Sequence, residues 1–418
     1  MKRNINIVKS MGIYTISNVL NAAIPFLLLP VLTRYLDPSD YGVLSNFNAI
    51  ANFMVPLVGI NLMASVQVQY IKEEVDNQSY MSTGLRLALT LTLLFSIALL
   101  FLGGTLEEFI KVPKFFLYFI ALYALFNVII EVLLAIWRME DAAINYGIFR
   151  IVRTLIELSL VLFFVIGLEM NFEGSIYGMM AAYGLGSVVA LVLLMRKNLL
   201  FGSFSMDFLR HAVKFGVPLI PHTLSGVIIM YSDKLIITYY HGQADNGIYT
   251  VGFMIGQAIG LLQNSFNQAW VPWAFQKLKG GSENDKSRMV KITYYYLIGI
   301  LLLVFFLWLM LPIIYTYFIG DRFSEGMQLV LWIALGFAFN GMYKMVSVYI
   351  YYLEKTFIIA MTSFGVAIVN VILNFMFIPK YGLQGAAVAT MIAMGLQFIV
   401  TWGVSSRLID MPWFWKRK

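Results

Sequence analysis

Three ionisable residues interrupt one long apolar segment of this sequence. Arg150, Arg153 and Glu157 follow the spacing i, i+3, i+7 within an otherwise hydrophobic run over 143–168. If the run is helical, all three side chains share one face. Two arginines on one face could bind a phosphate group in bidentate geometry. Alternatively, Arg153 and Glu157 form a structural i, i+4 ion pair while Arg150 reaches toward the membrane surface.

Further polar residues lie inside other apolar runs, where ionisable groups are costly and indicate function or pairing. Two of them, Glu131 and Lys344, carry opposite charges. We predict that Lys344 contacts an anionic ligand in one state and Glu131 in the other, so that the pair helps to gate alternation, and a permanent salt bridge is the alternative. The remaining residues are the amides Asn18, Asn21, Asn48, Asn52, Gln257, Asn264 and Gln268. Amide stripes suit a wet cavity that accepts hydroxyl-rich ligands, although amides also bond to each other between helices.

Asp233 and His222 are candidates for ion coupling. They lie on about the same face of one apolar run, and with Glu157 they could relay a proton or sodium ion. The alternative is an Asp that caps a helix or loop and a His bonded to a carbonyl group. The chain has no cysteine and only three histidines, so it predicts neither a metal site nor a cofactor.

The elements that position these residues are predicted to be membrane-spanning helices. Of 418 residues, 60% are apolar and 12% are charged, about half the charged fraction of soluble domains. This composition excludes a water-soluble enzyme, a disordered chain and a nucleic-acid-binding protein. A span needs about 20 apolar residues. Twelve candidate spans follow, at approximately 11–33, 41–69, 81–102, 115–137, 143–168, 174–196, 211–239, 246–275, 289–319, 327–352, 356–378 and 382–405.

Three blocks of sequence recur at an offset of about half the chain. Residues 33–45 resemble residues 238–250. Ile120-Ala121-Leu122 and Phe126-Asn127 recur as Ile333-Ala334-Leu335 and Phe339-Asn340. Gly174, Met180, Gly184 and Arg196 recur as Gly385, Met391, Gly395 and Arg407. The repeats predict an all-α polytopic membrane protein with two parallel six-helix bundles, 1–206 and 207–418, around a central cavity.

The orientation of the spans follows from the loops. Lys and Arg residues concentrate in the loops on the side that holds the two termini, as at Arg138, Arg196, Lys197 and Lys277. Positively charged loops remain in the cytoplasm. We therefore expect both termini to be cytoplasmic.

Several motifs resemble those of the polysaccharide repeat-unit flippases, whose superfamily also contains the multidrug and toxic-compound extruders. The motifs are Pro25 to Leu36 followed by Asp40-Tyr41-Gly42, Lys214 to Pro221, Asp233 to Ile237, and Ile378-Pro379-Lys380-Tyr381-Gly382. One departure is the pair Gln67 and Gln69, where similar proteins often carry a basic residue.

The resemblance implies a transporter of the bacterial inner membrane. Its substrate would be an undecaprenyl-diphosphate-linked oligosaccharide, moved from the cytoplasmic to the outer leaflet by alternating access for O-antigen lipopolysaccharide or capsule assembly. A polysaccharide polymerase and a chain-length regulator would be partners besides the lipid bilayer. A multidrug extruder-like cation antiporter and a lipid II flippase are the alternatives, and the basic residues Arg150, Arg153 and Lys344 favour an anionic substrate. An enzyme is not expected, because no outer loop is long enough for an active site.

Overall fold

A computed structural model of this protein describes residues 7–71 and 76–413. The described residues are helical nearly throughout and contain no β-strand. The chain divides into two compact units, Met1–Val227 and Ile228–Lys418. The sequence-based bundles, 1–206 and 207–418, place their boundary about 20 residues earlier.

The first unit contains eight α-helices and the beginning of a ninth, among the described residues. They are α1 (Ile7–Tyr35), α2 (Pro38–Gly59), α3 (Leu62–Ile71), α4 (Asn77–Ile110), α5 (Lys114–Met139), α6 (Ala143–Leu162), α7 (Phe172–Arg196), α8 (Met206–Gly216) and α9 (Ile220–His241). A π-helical turn, Phe163–Gly167, extends α6. The division between the units falls inside α9.

The second unit continues from α9 through four long helices. They are α10 (Gln243–Gly280), α11 (Glu283–Phe318), α12 (Met327–Tyr352) and α13 (Thr356–Leu408). A short 3-10 turn, Asp321–Gly326, precedes α12.

Each unit is built around one nearly all-apolar helix. In the first unit this helix is α5, where Ile120, Ala121 and Leu133 are completely buried; α5 packs against α2, α4 and α7. In the second unit α12 has the same place and packs against α10 and α13. Burial on all sides explains why neither helix has a polar face.

Two breaks divide segments that are continuous in hydropathy. Ile60 and Asn61 have φ values of 41° and 49°, so the predicted span 41–69 is two helices, α2 and α3. Gly382 has a φ of 57° inside α13, and glycine reaches this region at no steric cost. The break at Gly382 divides α13 into a first and a second segment, which correspond to the predicted spans 356–378 and 382–405.

Within the described residues, eight helices are long and apolar enough to cross a membrane, fewer than the twelve predicted spans. In α1 the described apolar segment, Phe26–Tyr35, is too short to be counted as a span. Helix α6 is not counted as a span, since it carries the charged residues Arg150, Arg153 and Glu157. The amide-rich helix α10 is not counted either, and the two segments of α13 are counted as one helix. The protein is a multi-pass membrane protein, and the arrangement of twelve spans stays a prediction.

The repeated glycines make equivalent contacts in the two units. A Cβ atom built at Gly184 would lie 3.4 Å from Cε2 of Phe126, and one built at Gly395 would lie 3.4 Å from Cδ2 of Phe339. Likewise, Gly174 packs against Phe164. Gly385 in turn packs against Phe377. The sequence repeats therefore correspond to the same helix contacts in each unit.

Candidate functional site

The polar layer of the first unit lies where α6 packs against α1. Nη1 of Arg150 donates to Oδ1 of Asn18 (2.5 Å) and to the hydroxyl of Tyr146 (2.6 Å). Gly147 permits this close approach, because a Cβ atom there would overlap Oγ of Ser17. These partners are neutral, and no described acid lies within ion-pair distance of Arg150. The guanidinium therefore keeps a net positive charge inside the helix bundle.

Arg153, one turn further along α6, has a charged partner. Its Nη1 lies 3.1 Å from Oε2 of Glu157, and the two side chains are 10% and 25% exposed. Its guanidinium stacks 4.3 Å from the centre of the Tyr183 ring. Nη2 of Arg153 donates to Thr154, whose hydroxyl donates to Asn21 Oδ1 at 2.5 Å. The ion pair thus joins α6 to α7 and, through Thr154, to α1.

Three other predicted residues of the first unit have local partners. Oε2 of Glu131 lies 3.8 Å from Nη2 of Arg138 on the same helix, α5. Asn52 donates to the carbonyl oxygen of Asn48 at 2.8 Å, within α2. Both amides are partly buried, and their proposed roles in a cavity stay predictions.

The sequence did not single out Asn46, although it is completely buried. Its Nδ2 donates to the carbonyl oxygen of Ile110 at 2.7 Å, which secures the end of α4. In the sequence, an isolated amide in an apolar run looks the same whether it bonds to the end of a neighbouring helix or lines a cavity.

In the second unit, Lys344 of α12 resembles Arg150 in its partners, although the two residues are not equivalent in the repeat. Its Nζ donates to Oδ1 of Asn264, which joins α12 to α10. No described acid lies within ion-pair distance of this ammonium group. Of the other predicted amides of α10, Gln257 is partly buried and Gln268 is exposed. Lys344, like Arg150, is therefore a partly buried cation held by a neutral amide, and Asn264 itself is exposed.

Asp233 occupies the most enclosed polar site of the second unit. It is completely buried. Its Oδ2 accepts hydrogen bonds from the Tyr249 hydroxyl (2.5 Å) and from Oγ1 of Thr390 (3.4 Å), and Oδ1 accepts from the backbone of Lys234 (2.8 Å). These bonds connect α9, α10 and the second segment of α13. Desolvation would be prohibitive for a carboxylate without such partners.

Two buried amides extend the site around Asp233. Nδ2 of Asn370 approaches Oγ1 of Thr390 at 3.4 Å, and Nδ2 of Asn374 donates to Oδ1 of Asn370 at 3.3 Å. The amide oxygen of Asn374 is buried without a hydrogen-bond partner among the described residues. The available ligands are oxygen atoms, which suit a proton or a hard monovalent cation. No group of three or more His, Asp or Glu side chains occurs in the described part of the chain.

Lys234, next to Asp233, is only 5% exposed. Its ammonium group lies 4.6 Å from the Tyr231 ring centre and 4.2 Å from that of Phe253. Aromatic faces attract a cation electrostatically, so the positive charge is accommodated without a direct ion pair.

His222 is exposed in the first turn of α9, and its carbonyl oxygen accepts a hydrogen bond from Ser225 Oγ at 2.7 Å. A relay between His222 and Asp233 therefore stays a prediction. The sequence missed a different histidine, His211. Its Nε2 lies 2.8 Å from Nε2 of Gln69, and its Nδ1 lies 3.0 Å from the Tyr80 hydroxyl. Gln69 thus fastens α8 to α3.

Comparisons with known proteins give the family. The model of a family described as polysaccharide biosynthesis protein matches residues 7–278. The chain belongs to this family. An uncharacterized membrane protein of Haemophilus influenzae is 26% identical over 286 residues, which cover 66% of this chain and 67% of the relative. The Lsg locus putative protein 1 of the same organism is 23% identical over 279 residues, or 65% and 66% of the two chains.

Solved structures show the same fold at low identity. The inward-facing form of a multidrug resistance MATE family transporter of the MOP superfamily has a TM-score of 0.69 and 14% identity, with 94% of each chain covered. The lipid II flippase MurJ in an inward closed conformation has a TM-score of 0.70 and 15% identity, over 95% of this chain and 86% of the other. The polysaccharide biosynthesis protein therefore has the fold of these membrane transporters.

Proposed function

We propose that this chain is a lipid-linked oligosaccharide flippase. It moves undecaprenyl-diphosphate-linked sugar repeat units from the cytoplasmic to the outer leaflet of a bacterial inner membrane, for O-antigen or capsule assembly. Twelve spans in two bundles enclose the central cavity, both termini are cytoplasmic, and a polymerase and a chain-length regulator receive the product. The family of polysaccharide biosynthesis proteins and the transporter fold support this proposal.

The observation that carries the proposal is that two partly buried cations, Arg150 and Lys344, have neutral partners and no ion-pair partner among the described residues. Arg150 is bonded to Asn18 and Tyr146, and Lys344 is bonded to Asn264. Burial of a charge is costly unless a partner compensates it. Neutral amides hold each cation in place and leave its charge for an anion such as a diphosphate, which Arg binds well.

The multidrug extruder alternative requires a different site. A cationic drug would need an accessible acid that is not already paired. Glu157 is paired with Arg153 and Glu131 lies beside Arg138. Asp233 has no ion-pair partner but is completely buried. A lipid II flippase would have the same fold and would also bind a diphosphate-linked lipid. Only the identity of the substrate distinguishes this alternative from the proposed flippase.

Ion coupling is assigned to Asp233. Its carboxylate and the oxygen atoms of Thr390, Asn370 and Asn374 form a buried set of acceptors. A proton or sodium ion on this site would neutralise Asp233 and alter its bonds to α10 and α13. The gradient of that ion would drive the alternation between inward-open and outward-open states.

The substrate is tested in cells and in proteoliposomes. Deletion of the gene should leave undecaprenyl-linked oligosaccharide on the cytoplasmic face, and Arg150→Gln and Lys344→Met should each reduce flipping of this substrate about tenfold. Arg86→Gln is the matched control, since Arg86 bonds to the carbonyl group of Gly202. Unchanged flipping by both variants, or a deletion that only raises sensitivity to cationic drugs, would refute the proposal.

The coupling is tested separately. Asp233→Asn should abolish the dependence of flipping on an imposed proton or sodium gradient while the protein remains in the membrane. Asp207→Asn, at an exposed acid of the first unit that pairs with Arg210, should retain that dependence. A gradient response that survives Asp233→Asn would remove Asp233 from the coupling step without touching the substrate assignment.

A further inference from the structure

A cavity of about 430 Å³ lies between α10 and α11 in the second unit. Its lining includes Leu262, Gln263, Phe266, Tyr295, Tyr296 and Leu303. None of the proposed transport residues contributes to it. The described lining also contains no charged side chain, which distinguishes this cavity from the polar sites above.

The floor of the cavity contains an unused hydrogen-bond acceptor. Gln263 is 3% exposed, and its Nε2 donates to Oδ1 of Asn340 on α12 at 3.0 Å. This bond fixes the orientation of the amide, so Oε1 is left buried with no partner among the described residues. A buried acceptor without a donor costs about 1–3 kcal/mol, and such an acceptor indicates a missing donor group.

A second polar group lies next to this acceptor. A Cβ atom built at Gly341 would overlap the hydroxyl of Tyr296 and would lie 3.0 Å from Oε1 of Gln263. The absence of a side chain at Gly341 therefore lets the Tyr296 hydroxyl pack close to Oε1 of Gln263. The Phe266 ring stacks 4.7 Å from the Tyr296 ring and forms an apolar wall. A ligand here could donate to Gln263 and accept from Tyr296, as a hydroxyl group does.

The entrance of the cavity faces the apolar surface of α11. Only 17% of the most apolar stretch of α11 is buried, and Tyr295 at the entrance is 72% exposed. In a membrane-spanning helix such a surface contacts lipid. A ligand must then arrive from the bilayer and carry an apolar body.

We propose that this cavity binds a single-chain, uncharged lipid alcohol. Its hydroxyl donates to Oε1 of Gln263 and accepts from Tyr296, while its chain lies along Leu262, Phe266 and Leu303. The ligand bridges α10, α11 and, through Asn340, α12. The site is independent of the diphosphate contacts at Arg150 and Lys344.

The test uses two photoreactive probes on the full chain in lipid nanodiscs, a diazirine analogue of octanol and the matched analogue of octane. We expect the alcohol to label the tyrosines of the cavity, as mapped by mass spectrometry. Gln263→Leu should reduce this labelling about fivefold, which is the effect of one hydrogen bond. Labelling by the octane analogue should not change. Gln276→Leu, an exposed position of α10 outside the cavity, is the matched control.

Two further variants protect the test against a folding defect of Gln263→Leu. Tyr296→Phe removes only the hydroxyl, and Gly341→Ala adds a methyl group that displaces this hydroxyl; each should reduce labelling by the alcohol alone. Farnesol should displace the probe, whereas farnesyl phosphate should not. Equal labelling by both probes, labelling that is insensitive to all three variants, or equal displacement by farnesyl phosphate would overturn the proposal.

Discussion

The two units place polar residues between the same pair of repeated helices but with opposite charge. In the first unit the charges lie on α6, and α1 supplies the amides Asn18 and Asn21. In the second unit the acid lies on α9, the counterpart of α1, and the first segment of α13 supplies Asn370 and Asn374. Both layers join the first and fifth helices of the repeat, while the charged helix differs.

The two units therefore share their helix packing but differ in their polar residues. The contacts between glycines and aromatic residues, Gly184–Phe126 and Gly395–Phe339, are the same in both units. The polar residues between these two helices have diverged, so that this layer offers a cation in the first unit and a buried carboxylate in the second. In the proposed function, such a duplicated scaffold places the coupling ion in one unit only, whereas both units contribute a cation for the anionic substrate through Arg150 and Lys344.

The largest effect is expected from Glu157→Gln, which leaves Arg153 without its partner. Loss of one member of a buried ion pair costs about 3–5 kcal/mol, measured as unfolding in detergent by tryptophan fluorescence. The double variant Arg153→Met, Glu157→Gln should recover most of this loss. A stable single variant would show that the pair of the first unit is not structural.

A second comparison concerns Gly174 and Gly385, which are equivalent in the repeat. A Cβ atom at Gly385 would overlap the carbonyl oxygen of Phe377, whereas one at Gly174 would lie 3.0 Å from the backbone carbon of Phe164. Gly385→Ala should therefore cost about 3 kcal/mol and Gly174→Ala about 1 kcal/mol. Equal thermal shifts of the two variants would contradict this order.

Tyrosines donate to the central polar residue in both units, which permits a matched pair of variants. Tyr249→Phe removes a donor to the buried carboxylate of Asp233 and should destabilise the protein by about 2 kcal/mol. Tyr146→Phe removes the bond that the hydroxyl donates to the neutral Asn18 and the bond that it accepts from the charged Arg150, and it should also cost about 2 kcal/mol. Denaturant unfolding of both variants measures the two losses, and a loss below about 0.5 kcal/mol for either variant would show that its hydroxyl does not stabilise the polar layer.

The smallest effect concerns the caps of α4 and α11, which have equivalent positions in the repeat. A hydrogen bond from the Ser79 side chain, with further bonds from the backbone of Ser79 and Gln78, lowers the pKa of the Asp76 carboxyl group. Ser282 caps α11 without a charge. A lowered pKa means that the cap stabilises α4 above about pH 4 and that this contribution disappears as the pH falls further.

Asp76→Ser should therefore keep the cap of α4 and remove this acid sensitivity, while Asp76→Ala should cost about 1 kcal/mol at neutral pH. Unfolding between pH 3 and pH 7 measures both. An unchanged acid limb in the Asp76→Ser variant would show that another group causes it.

Hydropathy predicts the apolar helices well because membrane insertion depends on local composition. Hydropathy gives no reason for the charges of α6, which are compensated by α1 and α7, distant in sequence. It also misses the division at Ile60 and Asn61, since a backbone break needs no polar residue.

The candidate sites were predictable only in part. The i, i+4 spacing gave the Arg153–Glu157 pair as one alternative, and the structure contains it. The partners of Asp233, in contrast, come from α10 and α13, and no local pattern links them. The unused oxygen of Gln263 could not be anticipated, because its isolation depends on the bond to Asn340.

The charges of α6 also bear on how the chain enters the membrane. An Arg at the centre of a helix costs about 2.5–3.5 kcal/mol during insertion by the translocon, and α6 carries two, with one acid beside them. Helix α1, which holds Asn18 and Asn21, is synthesised earlier. We expect α6 to leave the translocon only after it has paired with α1, so that insertion of this helix is a step of tertiary folding.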